Sequence, residues 1–126
     1  MATLTFKRLV LAAYLGLVGF LTLAPLSGGV YSTFAEYDKL VHVGLFAGVA
    51  FLMLWAEQSG LDPRAVTVIV VTAALAGLIE LIQGALPFRA MDGWDFLAGV
   101  IGAVIGAVAQ VAIASRLRAQ SAVDTS

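Results

Sequence analysis

Residues 65–86 read AVTVIVVTAALAGLIELIQGAL, and Pro87 closes the run. Within it stand one carboxylate, Glu80, and one side-chain amide, Gln83, with no lysine or arginine. A helix rises about 1.5 Å per residue and needs about 20 residues to cross roughly 30 Å of hydrocarbon. This run is long enough to do so. Its unbroken Ala, Leu and Gly content favours helix over a barrel strand, which would alternate in polarity over about 10 residues.

Three further apolar runs flank it. The first covers residues 9–26 and ends at Pro25; the second covers 40–55, with Asp38 and Lys39 just upstream; the last covers 96–114. Of 126 residues, 61% are hydrophobic and 12% charged, where soluble domains carry about 25% charged residues. The expected fold is therefore an all-α membrane protein, a bundle of four transmembrane helices. Residues 1–8 form a short N-terminal segment, 9–114 a single domain, and 115–126 a polar tail expected to be disordered. A signal peptide is the competing reading of the N-terminus. A retained helix is favoured because the run exceeds a usual h-region and no clean A-x-A site follows it. The absence of cysteine excludes disulfides and thiolate chemistry, and a net charge of −1 offers no electrostatic footprint for nucleic acid.

Lysine and arginine favour the cytoplasmic side of a membrane. The N-terminus, second loop and C-terminus hold Lys7, Arg8, Arg64, Arg116 and Arg118; the first and third loops hold only Lys39 and Arg89. Five against two predicts both termini inside, with residues 27–37 and 87–93 outside. Trp55 and Trp94 fall at span ends, where indoles sit at the interface.

This topology gathers polar residues at the extracytoplasmic end. Asp38, Lys39 and His42 open the second helix; Glu80 and Gln83 lie in the last turns of the third; Arg89 and Asp92 occupy the turn; Asp95 opens the fourth. Asp38 and His42 are an i,i+4 pair on one face, and Glu80 and Gln83 an i,i+3 pair. Glu80 stands about 10 Å of helix before Pro87. A carboxylate at a helix centre costs about 2.5–3.5 kcal/mol on insertion scales, so Glu80 is expected to face other helices, stay protonated, or pair with Arg89, Lys39 or a protonated His42. Asp95 is expected to be the N-terminal cap of the last helix, and Asp92 and Glu36 to be solvated loop charges.

Asp95, Gly99, Gly102 and Gly106 form one stripe on the fourth helix, and glycines there let a neighbouring backbone approach closely. Gly44 with Gly48, and Ala73 with Gly77, offer similar small-residue steps on the second and third helices.

The blocks Asp38-Lys39-x-x-His42, Glu80-x-x-Gln83, Pro87, Arg89 and Asp95 followed seven residues later by Gly102 resemble the VanZ-like family of small bacterial membrane proteins. The resemblance extends over about residues 15–109. The family often has asparagine where this chain has Gly99. What the resemblance implies is a multi-pass protein of the bacterial cytoplasmic membrane, linked through the founding member to tolerance of teicoplanin and related lipoglycopeptides. It implies no settled reaction. By position it carries over Asp38, Lys39, His42, Glu80, Gln83, Arg89 and Asp95 as the functional set.

Within that set, Glu80, His42 and Asp38 are the candidate catalytic groups, with Glu80 or His42 as general acid or base. Lys39, Gln83, Arg89 and Asp95 are the candidate ligand-binding groups. Arg89 offers a planar fork suited to a phosphate; a snorkelling anchor is its structural counterpart. Lys39 has the same two readings. No multi-histidine motif such as H-E-x-x-H is present, which disfavours a metal role, and no cofactor or nucleophile motif occurs. The favoured function is an outward-facing pocket for an amphiphilic, lipid-linked or lipid-tailed envelope molecule. The alternative is a structural or accessory membrane subunit whose polar cluster is interhelical glue. A proton-coupled transporter would require a homo-oligomer and a polar path through the inner halves of the helices, where ionisable groups are almost lacking.

Overall fold

The computed structural model describes residues 3–25, 37–57 and 63–126, and within them the chain forms four α-helices. They are α1 (Leu4–Leu23), α2 (Asp38–Glu57), α3 (Pro63–Ala85) and α4 (Gly93–Asp124). Each is long and apolar enough to cross a membrane. The chain is a multi-pass membrane protein. Its surface agrees with that reading: Leu9, Phe20, Leu40, Val66, Val70, Leu81 and Val108 are all exposed, as lipid-facing side chains must be. Glu36 lies outside the described residues.

The helices start and stop where backbone groups find partners. Thr3 caps α1, its hydroxyl accepting from Phe6 N–H at 3.2 Å, so Lys7 and Arg8 lie within the helix rather than ahead of it. Lys7 turns onto α2, where its Nζ donates to the Trp55 carbonyl at 3.2 Å and sits 5.0 Å from the centre of the Trp55 ring. The ammonium therefore satisfies an orphan carbonyl at the C-terminal end of α2 and gains a cation–π contact.

At the other end of the chain, the expected disordered tail is instead helical to Asp124. Residues 107–126 contain no glycine or proline to stop a helix, and Ala, Leu, Arg and Gln sustain one. At 32 residues α4 is about 48 Å long, well beyond the thickness of hydrocarbon, so its exposed polar end projects past the membrane.

The most extensive helix contact joins α2 to α4, while α1 packs on α2 and α3. The glycine stripe explains why. A Cβ on Gly102 would run into the Val43 carbonyl, and one on Gly106 into the Ala47 carbonyl. Residues 43 and 47 thus face 102 and 106 in the same order, so α2 and α4 are parallel neighbours at backbone contact. Gly99 completes the seam against Ala76 and Phe46, where an added Cβ would lie 2.8 and 3.1 Å away. The step expected on the second helix is only half used. Gly48 receives the Tyr14 hydroxyl, which donates to the Leu45 carbonyl at 2.9 Å, whereas Gly44 is exposed and faces no neighbour.

Two apolar clusters fill the interior. Ala50, Leu54, Val68, Ala103, Ala107 and Val111 pack at the end of the bundle that holds the α2 C-terminus, and Val18, Phe46, Val49, Ala76 and Ile79 at the end that holds its N-terminus. Polar side chains cap the second cluster.

Candidate functional site

The N-termini of α2 and α4 and the C-termini of α1 and α3 meet at one end of the bundle. The parallel pairing of α2 with α4 sets Asp38, Lys39 and His42 beside Asp95, and the end of α3 brings Glu80 against them.

His42 is the centre of this group. It is 97% buried, and its ring stacks on Phe46 with centroids 6.0 Å apart. Its Nδ1 lies 2.9 Å from the Asp38 carbonyl oxygen and 3.4 Å from Asp38 Oδ1, one helical turn earlier. Its Nε2 faces Glu80 Oε1 at 3.4 Å. Neither of those last two atoms makes a hydrogen bond.

Glu80 is likewise buried, and its other oxygen, Oε2, accepts from the Asp92 backbone N–H at 3.0 Å. Among the partners expected for Glu80, then, the contact is with His42 rather than with Arg89 or Lys39. The carboxylate also pins the loop that leads into α4.

Asp92, and not Asp95, caps α4: its Oδ1 accepts from Trp94 N–H at 2.8 Å. Nor is Asp92 merely a solvated loop charge, since Lys39 Nζ lies 3.1 Å from its Oδ2. The Trp94 N–H, and after it the Lys39 ammonium, hold the Asp92 carboxyl below the usual aspartate range. Asp95 falls in the first turn of α4, buried, with Oδ1 at 3.4 Å from the same Lys39 Nζ. One ligand atom from each of Asp38, His42 and Asp95 lies within 4.8 Å of the others.

Gln83 and Arg89 are turned toward α1. Gln83, buried, donates from Nε2 to the Thr22 carbonyl at 2.7 Å. Arg89 donates from one terminal nitrogen toward the carbonyls of Leu21 at 3.4 Å and Ala24 at 3.2 Å. A helix leaves its last four carbonyls without intrahelical donors, and hydrocarbon offers none in exchange. These two side chains supply them. They form the α1 border of the site, whereas Asp38, Lys39, His42, Glu80, Asp92 and Asp95 form its interior.

An apolar groove of about 400 Å³ leads away from that interior along the α2–α4 seam. It begins at Lys39 and Trp94 and continues over Val43, Leu97 and Ile101 on the outer surface of the bundle. The sequence gives no direct sign of this groove, because it depends on which two helices are parallel neighbours. The grouping of Asp95 with Asp38 and His42 at one end of the bundle is expected from the topology; the structure adds that α2 and α4 are in direct contact along the glycine stripe.

Comparison with protein-family models, with curated proteins and with solved structures yields no match.

Proposed function

We propose that this protein binds the polar head of an amphiphilic cell-envelope molecule at the Asp38–His42–Glu80–Asp95 end of the bundle, with the hydrocarbon tail in the α2–α4 groove. The observation that carries the reading is the position of Lys39. It is the first residue of the apolar groove and at the same time the ion-pair partner of Asp92 and Asp95. A molecule with one polar and one apolar end meets matching chemistry on either side of it. The excess of basic residues in the opposite flanks supports an orientation with both termini in the cytoplasm and the site facing outward. The resemblance to the VanZ-like family points to the bacterial cytoplasmic membrane and to lipoglycopeptides, which pair a polar head with a lipid tail.

The test compares teicoplanin tolerance in a susceptible bacterium expressing wild type, Glu80→Gln or Leu97→Trp at matched membrane levels. Leu97 is 44% exposed in the groove, so the indole fills the groove without entering the core. Protection by wild type and its loss in both variants is the expected result. Equal protection by all three chains removes the reading, as does no protection by wild type together with no lipid retained in native mass spectrometry.

A second reading has its own observation. Gln83 and Arg89 donate to the carbonyls of α1, which is what interhelical glue would look like. If the chain is an accessory subunit, variants at these two positions and at Glu80 lose activity only in proportion to lost folded protein.

A further inference from the structure

A neutral His42 ring presents a bonding problem in these surroundings. With a proton on Nδ1 donated to the Asp38 carbonyl at 2.9 Å, a neutral imidazole leaves a lone pair on Nε2. Nε2 lies 3.4 Å from Glu80 Oε1, itself an acceptor when ionised. Both atoms are buried and make no hydrogen bond, although buried polar atoms almost always find partners. Around the same ring stand three carboxylates, Asp38, Asp95 and Glu80. Lys39 is shared between Asp95 and Asp92.

We propose that Asp38, His42 and Asp95 bind a first-row divalent metal ion, with Glu80 as the positioning residue behind the histidine. One donor atom from each of the three lies within 4.8 Å of the others, and they come from two helices locked together at backbone contact. Donors sharing a zinc or manganese ion at about 2.0–2.2 Å are separated by roughly 3–4.3 Å, so small side-chain rotations close the set. Imidazole together with two carboxylates suits zinc, manganese or iron better than calcium or magnesium. Metal on Nδ1 takes the place of its proton and of its bond to the Asp38 carbonyl, and moves the ring proton to Nε2. From there a small rotation of either side chain closes the 3.4 Å separation from Glu80 Oε1 into a hydrogen bond, which partners both orphan atoms. Histidine ligands ordinarily donate their second nitrogen to a carboxylate in this manner. Three protein donors leave coordination positions open for water or for an oxygen of a bound molecule.

This site goes beyond the head-group reading and does not depend on it, since the ion binds with no lipid present. The experiment takes the full chain purified in detergent, stripped with chelator and titrated with Mn²⁺. Expected are one saturable ion per chain and an electron-spin-echo modulation from a directly bound imidazole nitrogen. Asp38→Asn and Asp95→Asn abolish saturable binding, and Glu80→Gln weakens it by roughly 10–100-fold while keeping the nitrogen signal. Gln110→Ala, at the opposite end of the bundle, leaves binding as in wild type. Absence of saturable binding by the wild-type chain overturns the proposal, as an imidazolium held between Asp38 and Glu80 would produce. Bound Mn²⁺ without nitrogen coupling also overturns it, and that readout on wild type decides the matter if an aspartate variant fails to fold. Metal binding without teicoplanin protection or lipid retention would retain this site and reject the head-group reading.

Discussion

Glu80 Oε2 accepts the backbone N–H of Asp92 at 3.0 Å, so a carboxylate near the end of α3 fixes the residue that caps α4. Truncating Glu80 to alanine leaves that N–H without its acceptor and opens a gap beside His42. Loss of a buried partner costs about 1–3 kcal/mol. Glu80→Ala is therefore expected to lower thermal stability in detergent by that amount. Glu80→Gln, which keeps an acceptor oxygen and the shape, is expected to lose less than half as much. Equal losses would show that shape and hydrogen bonding at position 80 count for nothing.

The α2–α4 seam predicts a sharp contrast among glycines. Alanine at Gly102 or Gly106 puts a methyl group onto a backbone carbonyl, which cannot move without displacing a helix. Overpacking of this kind costs about 1–3 kcal/mol. Alanine at Gly44, which faces no neighbour, is expected to change stability by no more than about 0.5 kcal/mol. Thermal unfolding of the three variants in one detergent checks the order. A Gly44 variant as damaged as the other two would refute the seam.

Gln83→Leu removes the donor from the Thr22 carbonyl at the end of α1. A buried unpaired acceptor costs about 1–3 kcal/mol, and here the cost falls on one helix. Hydrogen exchange is expected to rise selectively at the C-terminal turns of α1, with α2 and α4 unchanged. Arg89→Leu should act on the same turns through Leu21 and Ala24. Uniform loss of protection across the bundle would argue against this local role.

The Asp92 cap gives a pH dependence with a definite sign. Its folded pKa lies below the unfolded value, so its contribution is fully present above the unfolded pKa of about 3.9 and disappears as pH falls through the folded value. Asp92→Asn keeps an acceptor for Trp94 but has no proton to gain. The variant's melting temperature should therefore fall less steeply than wild type's as pH drops below about 4. Parallel curves would show that Asp92 carries none of the acid sensitivity.

The four helices were legible because hydrocarbon imposes a length and a polarity that short-range chemistry cannot counterfeit. Their ends were less so. The start of α4 falls between two aspartates three residues apart, either of which could cap a helix; Asp92 is the cap, and Glu80 holds its backbone N–H. The helical extension to Asp124 was missed by equating polarity with disorder, although nothing in that segment stops a helix. Within the candidate site, the Asp38–His42 pair follows from helical periodicity alone. The direction taken by Arg89 does not, since it depends on where α1 ends in space. That Asp95 lies at the same end as this pair follows from alternating spans; that it lies beside the pair depends on α2 and α4 being direct neighbours, which no single run of sequence encodes.

The glycine seam also acts as a ruler. Gly102 and Gly106 each rest on a carbonyl one turn apart, so a slip of α4 by a single residue would drive the methyls of Ala103 and Ala107 toward that surface. Such a slip would shift α4 by about 1.5 Å and rotate it by about 100°. Asp95 stands two turns ahead of Gly102 on the same helix, and His42 adjoins Val43 on the other. Any offset between them is therefore inherited from the seam. The alignment of charged groups at the end of the bundle is calibrated by residues that carry no side chain at all.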